Sequence, residues 1–403
     1  MRLGRARVRT NAAGVALLPR PTRRTATVVV RRRGFEERRV TIPVRRLRPF
    51  HRVHLWRRGW SWPTYGGGPT RAQTVAGIAL RPPLETVWSV PMHGLVELPP
   101  VTHGGLGWVT NAHGRVTAFR TTDGKVVWMR KLRATMAASP AYADGRVFVV
   151  GLDGAMHAFA AATGKRLWRR SLGAPSESSP LVVGRRVVVT TWDGRVLAVS
   201  ATTGRTVWSR SLGSKLTASP ALAGRHLIVG DYAARVTSLA VRDGRIRWRA
   251  PASGRVYASA AVWRGRAFVT SSTGRTLAAY RVADGARLWT RRFGGYVYAA
   301  PAVADGVVVT GSYDRTVRAF DAVSGRPRWT AAVGGRVSGA PQIVAGVVWA
   351  GRPGRIEARN LRSGRLLQAF PRGDYAPISG DAHTLILVGY SRLWGLRPTQ
   401  RRR

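Results

Sequence analysis

The chain contains no cysteine. That removes disulfides, thiolate metal sites, cysteine nucleophiles and thiol redox chemistry. Lysine is nearly absent, with residues only at 125, 131, 165 and 215, so arginine supplies almost all of the 67 basic residues. Acidic residues number 18, which leaves a formal net charge of +49. Asparagine occurs only at 11, 111 and 360. Long apolar runs are missing as well. The longest weakly polar stretch, 339–351, has 13 residues and contains Pro341 and Gln342, against the roughly 20 that a transmembrane helix needs. The apolar run 12–18 near the basic N-terminus is too brief for a signal-peptide core.

Two readings of the charge are open. One is binding to a polyanion, whether nucleic acid, an anionic wall polymer or a membrane surface. The other is arginine enrichment from the coding sequence on a tolerant surface. The scarcity of lysine favours the second, because phosphate binding uses lysine as well as arginine.

What the sequence does have is one phrase used seven times. A turn glycine is followed four places later by tryptophan: Gly124 to Trp128, Gly164 to Trp168, Gly204 to Trp208, Gly244 to Trp248, Gly285 to Trp289 and Gly325 to Trp329. The seventh copy, from Gly364, has Gln368 in the tryptophan place. Trp88 lies 40 residues before Trp128 and joins the series without the glycine phrase. Within one period, 139–172, four short apolar stretches are separated by Asp144-Gly145, Asp153-Gly154 and Thr163-Gly164. Four strands, three tight turns and no helical pattern repeat at a period near 40 residues. That predicts an all-β fold, a β-propeller of four-stranded antiparallel blades.

Trp88 has a fourth strand but no three strands before it. Residues 376–396 supply three strands and then stop. Pairing the N- and C-terminal strands closes a ring of eight blades and protects the exposed sheet edges that would otherwise aggregate. The propeller is expected over 81–396, with a basic tail at 397–403. Residues 56–80, rich in Gly, Pro and Trp, read as a linker with no strand of its own. Residues 1–55 carry 16 arginines and no copy of the repeat. Their 25–30 and 40–44 stretches read as a hairpin after a turn at Asn11.

The Gly-x-x-x-Trp phrase after an Ala-Phe-x-x-x-[Thr/Asp]-Gly approach resembles the PQQ-type propeller repeat. The entry Trp62-Pro…Tyr65-Gly-Gly-Gly-Pro69 is similar to the usual lead-in of that family. The resemblance implies that each tryptophan docks against the neighbouring blade, a role carried to Trp88, Trp128, Trp168, Trp208, Trp248, Trp289 and Trp329; Gln368 departs from the pattern. Residues 1–55 in turn resemble the second half of a small immunoglobulin-like or carboxypeptidase-regulatory-like sandwich. The front strands of such a domain are missing, so a longer natural chain is expected.

Some family members are quinone-dependent dehydrogenases with an aspartate base, a calcium ion and often paired cysteines. Here most aspartates sit in Asp-Gly turns, which hairpins alone explain. Glu85, Glu97, Glu177 and Glu357 stand singly in sequence, without a cluster for a hard cation. No histidine pair has ligand spacing. Ser139-Pro140, Ser179-Pro180 and Ser219-Pro220 recur at one structural position, which points to packing at the channel wall. Basic residues recur at both ends of the blades, with no aromatic platform beside them for bases. No catalytic residue, metal or cofactor is therefore expected. The expected role is a scaffold that binds a protein partner or an anionic cell-surface polymer. Polyanion binding through arginine rings is the alternative, nucleic acid is not favoured, and a PQQ- and calcium-dependent dehydrogenase comes last. The family's propellers are mostly exported, so an extracytoplasmic or cell-envelope location and a monomer are expected.

Overall fold

The computed structural model describes residues 61–374 and 377–399, together with 2–3, 6–11, 15–17, 25–33, 35, 38–43, 57, 59 and 60. It divides into two units, residues 1–60 and 61–403.

The second unit is a ring of eight four-stranded antiparallel sheets. Blade 1 shows the pattern: an inner strand Val101–His103, then Leu106–Thr110, Arg115–Arg120 and an outer strand Val126–Lys131. Blades 2 to 7 repeat it. Blade 8 is built from both ends of the chain. Ile378–Gly380, Leu385–Val388 and Arg392–Pro398 supply three strands, and Leu84–Pro91 pairs with the last as the outer strand. The final strand reaches Pro398, so residues 397–399 belong to the propeller and not to a tail. The first strand of blade 8 begins at Ile378; Ala376 lies outside the described residues.

Blades bury both faces, so apolar residues run continuously through the middle strands and alternate between two neighbours. Val187, Val189 and Leu197 of blade 3 pack on Phe148, Val150 and Met156 of blade 2. Val188 and Val196 point the other way, onto Leu227, Val229 and Leu239 of blade 4.

The repeated phrase builds the blade interfaces. Each tryptophan of the outer strand sits opposite a small residue of the third strand: Ala118, Ala158, Ala198, Ser238, Ala279 and Ala319, with Gly395 opposite Trp88. A register shift follows immediately each time. The indole then lies over the turn glycine of the next blade. A Cβ on Gly164 would meet the Trp128 ring at 2.6 Å, and one on Gly244 the Trp208 ring at 2.5 Å. Gly124, Gly204, Gly285, Gly325 and Gly364 make the same approach to Trp88, Trp168, Trp248, Trp289 and Trp329. Six of the seven indole N–H groups donate to a carbonyl of the next blade at 2.8–3.2 Å; Trp289 is the exception. Gln368 holds the next blade differently. Its amide accepts from Leu84 N–H at 2.8 Å and donates to Leu84 C=O at 2.7 Å.

The first unit contains a four-stranded sheet among its described residues, in the order Ala6–Arg7, Arg2–Leu3, Thr25–Val30, Arg38–Pro43. Thr25–Val30 and Arg38–Pro43 pair as an antiparallel hairpin. Asn11 forms a turn, accepting from Val15 N–H through its side chain. Residues 12–14 and 44–56 lie outside the described residues.

Candidate functional site

The stretch read as a linker is part of the propeller from Ser61 onward. Residues 62–74 run round the central channel and fill it. The middle residue of the inner strand donates its N–H inward in six blades: Thr102 to Trp62 C=O, Tyr142 to Pro63, Leu222 to Pro69, Val262 to Thr70, Val303 to Ala72 and Ile343 to Gln73, all at 2.7–2.9 Å. Inner strands of a propeller have a free edge toward the axis, and this segment satisfies it. Tight folding of the plug depends on Gly66 and Gly67. Both have positive φ, and Cβ atoms there would meet Arg71 Cα at 2.8 Å and Thr74 O at 2.5 Å.

At the centre of the plug lies Arg71, fully buried. Its guanidinium donates to Tyr65 C=O at 2.7 Å, Thr64 Oγ1 at 2.8 Å, Ser179 C=O at 2.7 Å, and Pro180 and Pro220 C=O at 3.1 and 3.2 Å. Among the described residues no carboxylate pairs with it, and burial lowers its pKa to about 9. This cation therefore works as a five-way hydrogen-bond hub for blades 3 and 4.

Above the plug the channel opens as a cavity of about 360 Å³. Tyr65 forms its floor. The walls come from the loops that link each outer strand to the next inner strand, with Glu97, Glu177, Thr217, Tyr257, Tyr298 and Ser338 facing in. The serines of the Ser-Pro pairs form a relay round this wall. Ser139 N–H donates to Ser179 Oγ, Ser179 N–H to Ser219 Oγ and Ser219 N–H to Ser259 Oγ, at 2.9–3.1 Å.

The mouth is chemically two-sided. Glu97 and Glu177 enter from the loops before blades 1 and 3. Burial raises the pKa of both, and for Glu97 the Glu177 charge adds to it. For Glu177 the Lys215 ammonium and the Trp192 indole pull partly back. Isolated in sequence, these two carboxylates are brought to one cavity by the ring closure. On the side of blades 4 to 6 stands an arc of tyrosines. Ring centroids are 4.5 Å apart for Tyr232–Tyr257, 5.3 Å for Tyr257–Tyr298 and 5.0 Å for Tyr298–Tyr313, and Tyr296 joins at 5.9 Å from Tyr298. An aromatic platform thus accompanies the basic residues of this face, which the sequence did not lead one to expect. No repeated motif flags it, because the five rings come from loops and turns that differ from blade to blade.

Both ends of the propeller carry basic residues, some paired and some exposed. On the face with the mouth, Arg195 pairs with Asp193 at 2.6 Å, Arg235 with Asp231 at 2.8 Å, Arg318 with Asp314 at 2.7 Å and Arg355 with Glu357 at 3.1 Å. On the opposite face Lys125, Lys165, Arg205, Arg245, Arg326 and Arg365 are exposed. The opposite face has ion pairs too, Arg120 with Asp123 at 2.6 Å, Arg281 with Asp284 at 2.9 Å and Arg328 with Asp321 at 2.6 Å, so both faces carry paired and exposed arginines. Some outer-strand arginines are structural. Arg130, Arg210 and Arg291, two places after the tryptophan, donate through Nε to the turn-glycine carbonyl of the next blade at 2.9, 3.2 and 2.6 Å.

The lining does not fit a quinone held with a metal ion. Two carboxylates reach the cavity, and no group of three or more His, Asp or Glu among the described residues can hold a metal ion. The plug occupies the channel beneath. The histidines are dispersed: His157 is buried in a strand with its pKa lowered to about 4, chiefly by burial, and His103 stacks on Tyr142 at 4.1 Å. The tryptophans and turn glycines of the repeat lie in the blade interfaces, apart from the cavity lining.

Among the described residues no helix is long and apolar enough to cross a membrane. No curated protein matches the chain. Solved structures do. BamB from Moraxella catarrhalis superposes with a TM-score of 0.68 at 17% identity, covering 78% of this chain and 99% of that one. A europium-containing methanol dehydrogenase gives 0.72 at 13%, covering 84% and 98%. The quinohemoprotein alcohol dehydrogenase from Comamonas testosteroni gives 0.72 at 14%, covering 85% and 82%. At such identities these likenesses establish the fold. A family model, described as outer membrane protein assembly factor BamB, matches residues 73–191, 112–264, 192–291 and 251–373. The matches together span most of the propeller, and this chain belongs to that PQQ-type, BamB-like propeller family.

Proposed function

We propose that the protein is a non-catalytic propeller platform of the cell envelope, binding a protein partner or surface component through the face that carries the mouth. The observation that carries this reading is the plug. With residues 62–74 bonded to six inner strands, the channel is a one-ended pocket with a rigid floor. Its wall presents hydroxyls, tyrosine rings and two carboxylates, groups suited to recognition. The envelope location rests on the family description. The dehydrogenases share the fold, and fold alone does not carry an activity.

The test is a titration with PQQ and calcium, following absorption and melting temperature with salt varied in parallel. No saturable spectrum and no rise in melting temperature are expected. A saturable cofactor spectrum would overturn the reading. In parallel, a solubilised envelope fraction is passed over the immobilised protein and over a Tyr257→Ala/Tyr298→Ala variant. Components retained by the first and lost by the second are expected; identical retention would remove the role of this face.

A second reading is polyanion binding on the opposite face, favoured by the exposed cations in register there, Lys125 and Arg245 among them. Affinity would then fall steeply with salt and would not respond to the tyrosine substitutions.

A further inference from the structure

We infer that the mouth is a binding site for an anionic glycan, with the tyrosine arc taking the sugar faces and the arginines at its edge taking the acidic groups. The inference rests on the platform reading above and names the chemistry of what it holds.

Three observations converge on it. The first is the arc itself. Tyr232, Tyr257, Tyr298 and Tyr313 follow one another round blades 4 to 6, and neighbouring rings are tilted by 48°, 74° and 57°. Sugar rings present C–H faces in several directions and suit tilted rings. The second is the cations at its edge. Arg255 lies 5.9 Å from the Tyr232 centroid, Arg275 5.5 Å from Tyr296 and Arg336 5.5 Å from Tyr313. All three are exposed. Unlike Arg195 and Arg235 on the same face, none of them has a carboxylate partner among the described residues. Held against a ring, a guanidinium keeps its N–H fork free for a carboxylate or sulfate. The third is the rest of the lining. Glu97, Glu177 and Ser338 offer acceptors and a hydroxyl to sugar O–H groups, while Thr217, beside the arc, donates to Tyr257 C=O at 3.2 Å. The net charge of +49 draws any anion toward the protein. The mouth decides which anion stays.

General charge attraction is the competing effect, so the test relies on neutral substitutions and short ligands. A uronic-acid tetrasaccharide is titrated into the full chain at physiological ionic strength. Controls are a neutral tetrasaccharide of the same length and a single-stranded oligonucleotide of the same charge. Saturable one-to-one binding of the acidic sugar is expected. It should weaken about tenfold or more in Tyr257→Ala/Tyr298→Ala and in Arg255→Gln/Arg275→Gln/Arg336→Gln, roughly the loss of one stacked contact or charged bond. Lys125→Gln/Arg245→Gln, on the opposite face, should leave it unchanged. Melting curves establish that each variant is folded, and Tyr257→Phe/Tyr298→Phe supplies a conservative variant that keeps the rings. Affinity that tracks charge alone and ignores the tyrosines would overturn the inference, as would an oligonucleotide that binds as tightly with the same tyrosine dependence. Tyrosine-dependent retention of an envelope protein with no sugar binding would sink the glycan and leave the platform standing. Quinone binding would remove the platform itself.

Discussion

Tryptophan and glycine act as a pair across each blade interface. The indole needs a flat landing, and only glycine provides it, because a Cβ would fall inside the ring contact distance. The same glycine adopts positive φ, 69° at Gly244, which other residues resist. Trp208→Ala should cost about 3–5 kcal/mol, as for other buried aromatics. Gly244→Ala should cost a sizeable share of that through both clash and backbone strain. Denaturant midpoints measure both; a midpoint unchanged in Trp208→Ala would remove the docking role. His157 gives a pH test. Its pKa is lowered to about 4 by burial, with Arg169 and Arg166 adding to the effect and Asp153 opposing it. The unfolded state takes up a proton near pH 6.5 and the folded state only near pH 4. Stability present above pH 6.5 should therefore be lost as pH falls from about 6.5 to 4, by roughly 2–3 kcal/mol. His157→Leu should flatten that part of the stability profile; a profile the same as the wild type would show that the imidazole is not responsible.

The plug is an element without regular secondary structure that nevertheless has a complete bonding pattern. Its carbonyls face six inner strands, and one guanidinium gathers the carbonyls of blades 3 and 4. Arg71→Met keeps much of the volume and removes every donor. The carbonyls of Tyr65, Ser179 and Pro220 would lose this donor in a buried place, while Pro180 would keep the Thr64 hydroxyl at 3.2 Å. Each such group costs about 1–3 kcal/mol, partly offset by no longer burying a charge. A net loss of about 2–4 kcal/mol is expected in thermal or denaturant unfolding. An unchanged midpoint would mean that the plug is held by its backbone alone. Composition misleads here. Gly66-Gly67-Gly68 and two prolines look like a flexible connection, yet the glycines permit the close folding of the plug round Arg71.

For the whole molecule, ring closure puts together residues that share no motif. Glu97 and Glu177 are 80 positions apart, and Tyr232 and Tyr313 are 81 apart, yet they border one mouth. Closure also sets the charge at both ends: Asp193, Asp231 and Asp314 pair with arginines at one, and Asp123, Asp284 and Asp321 at the other. The sequence by itself determined the period, the four strands per period, the eight blades and the joining of the two ends. Those follow from local turn chemistry and from a hydrophobic pattern that each repeat restates. Tertiary structure alone decided the plug, the two-sided mouth and the fate of each charge. These depend on distances across the ring, where the contacts are made once and leave no periodic trace in the chain.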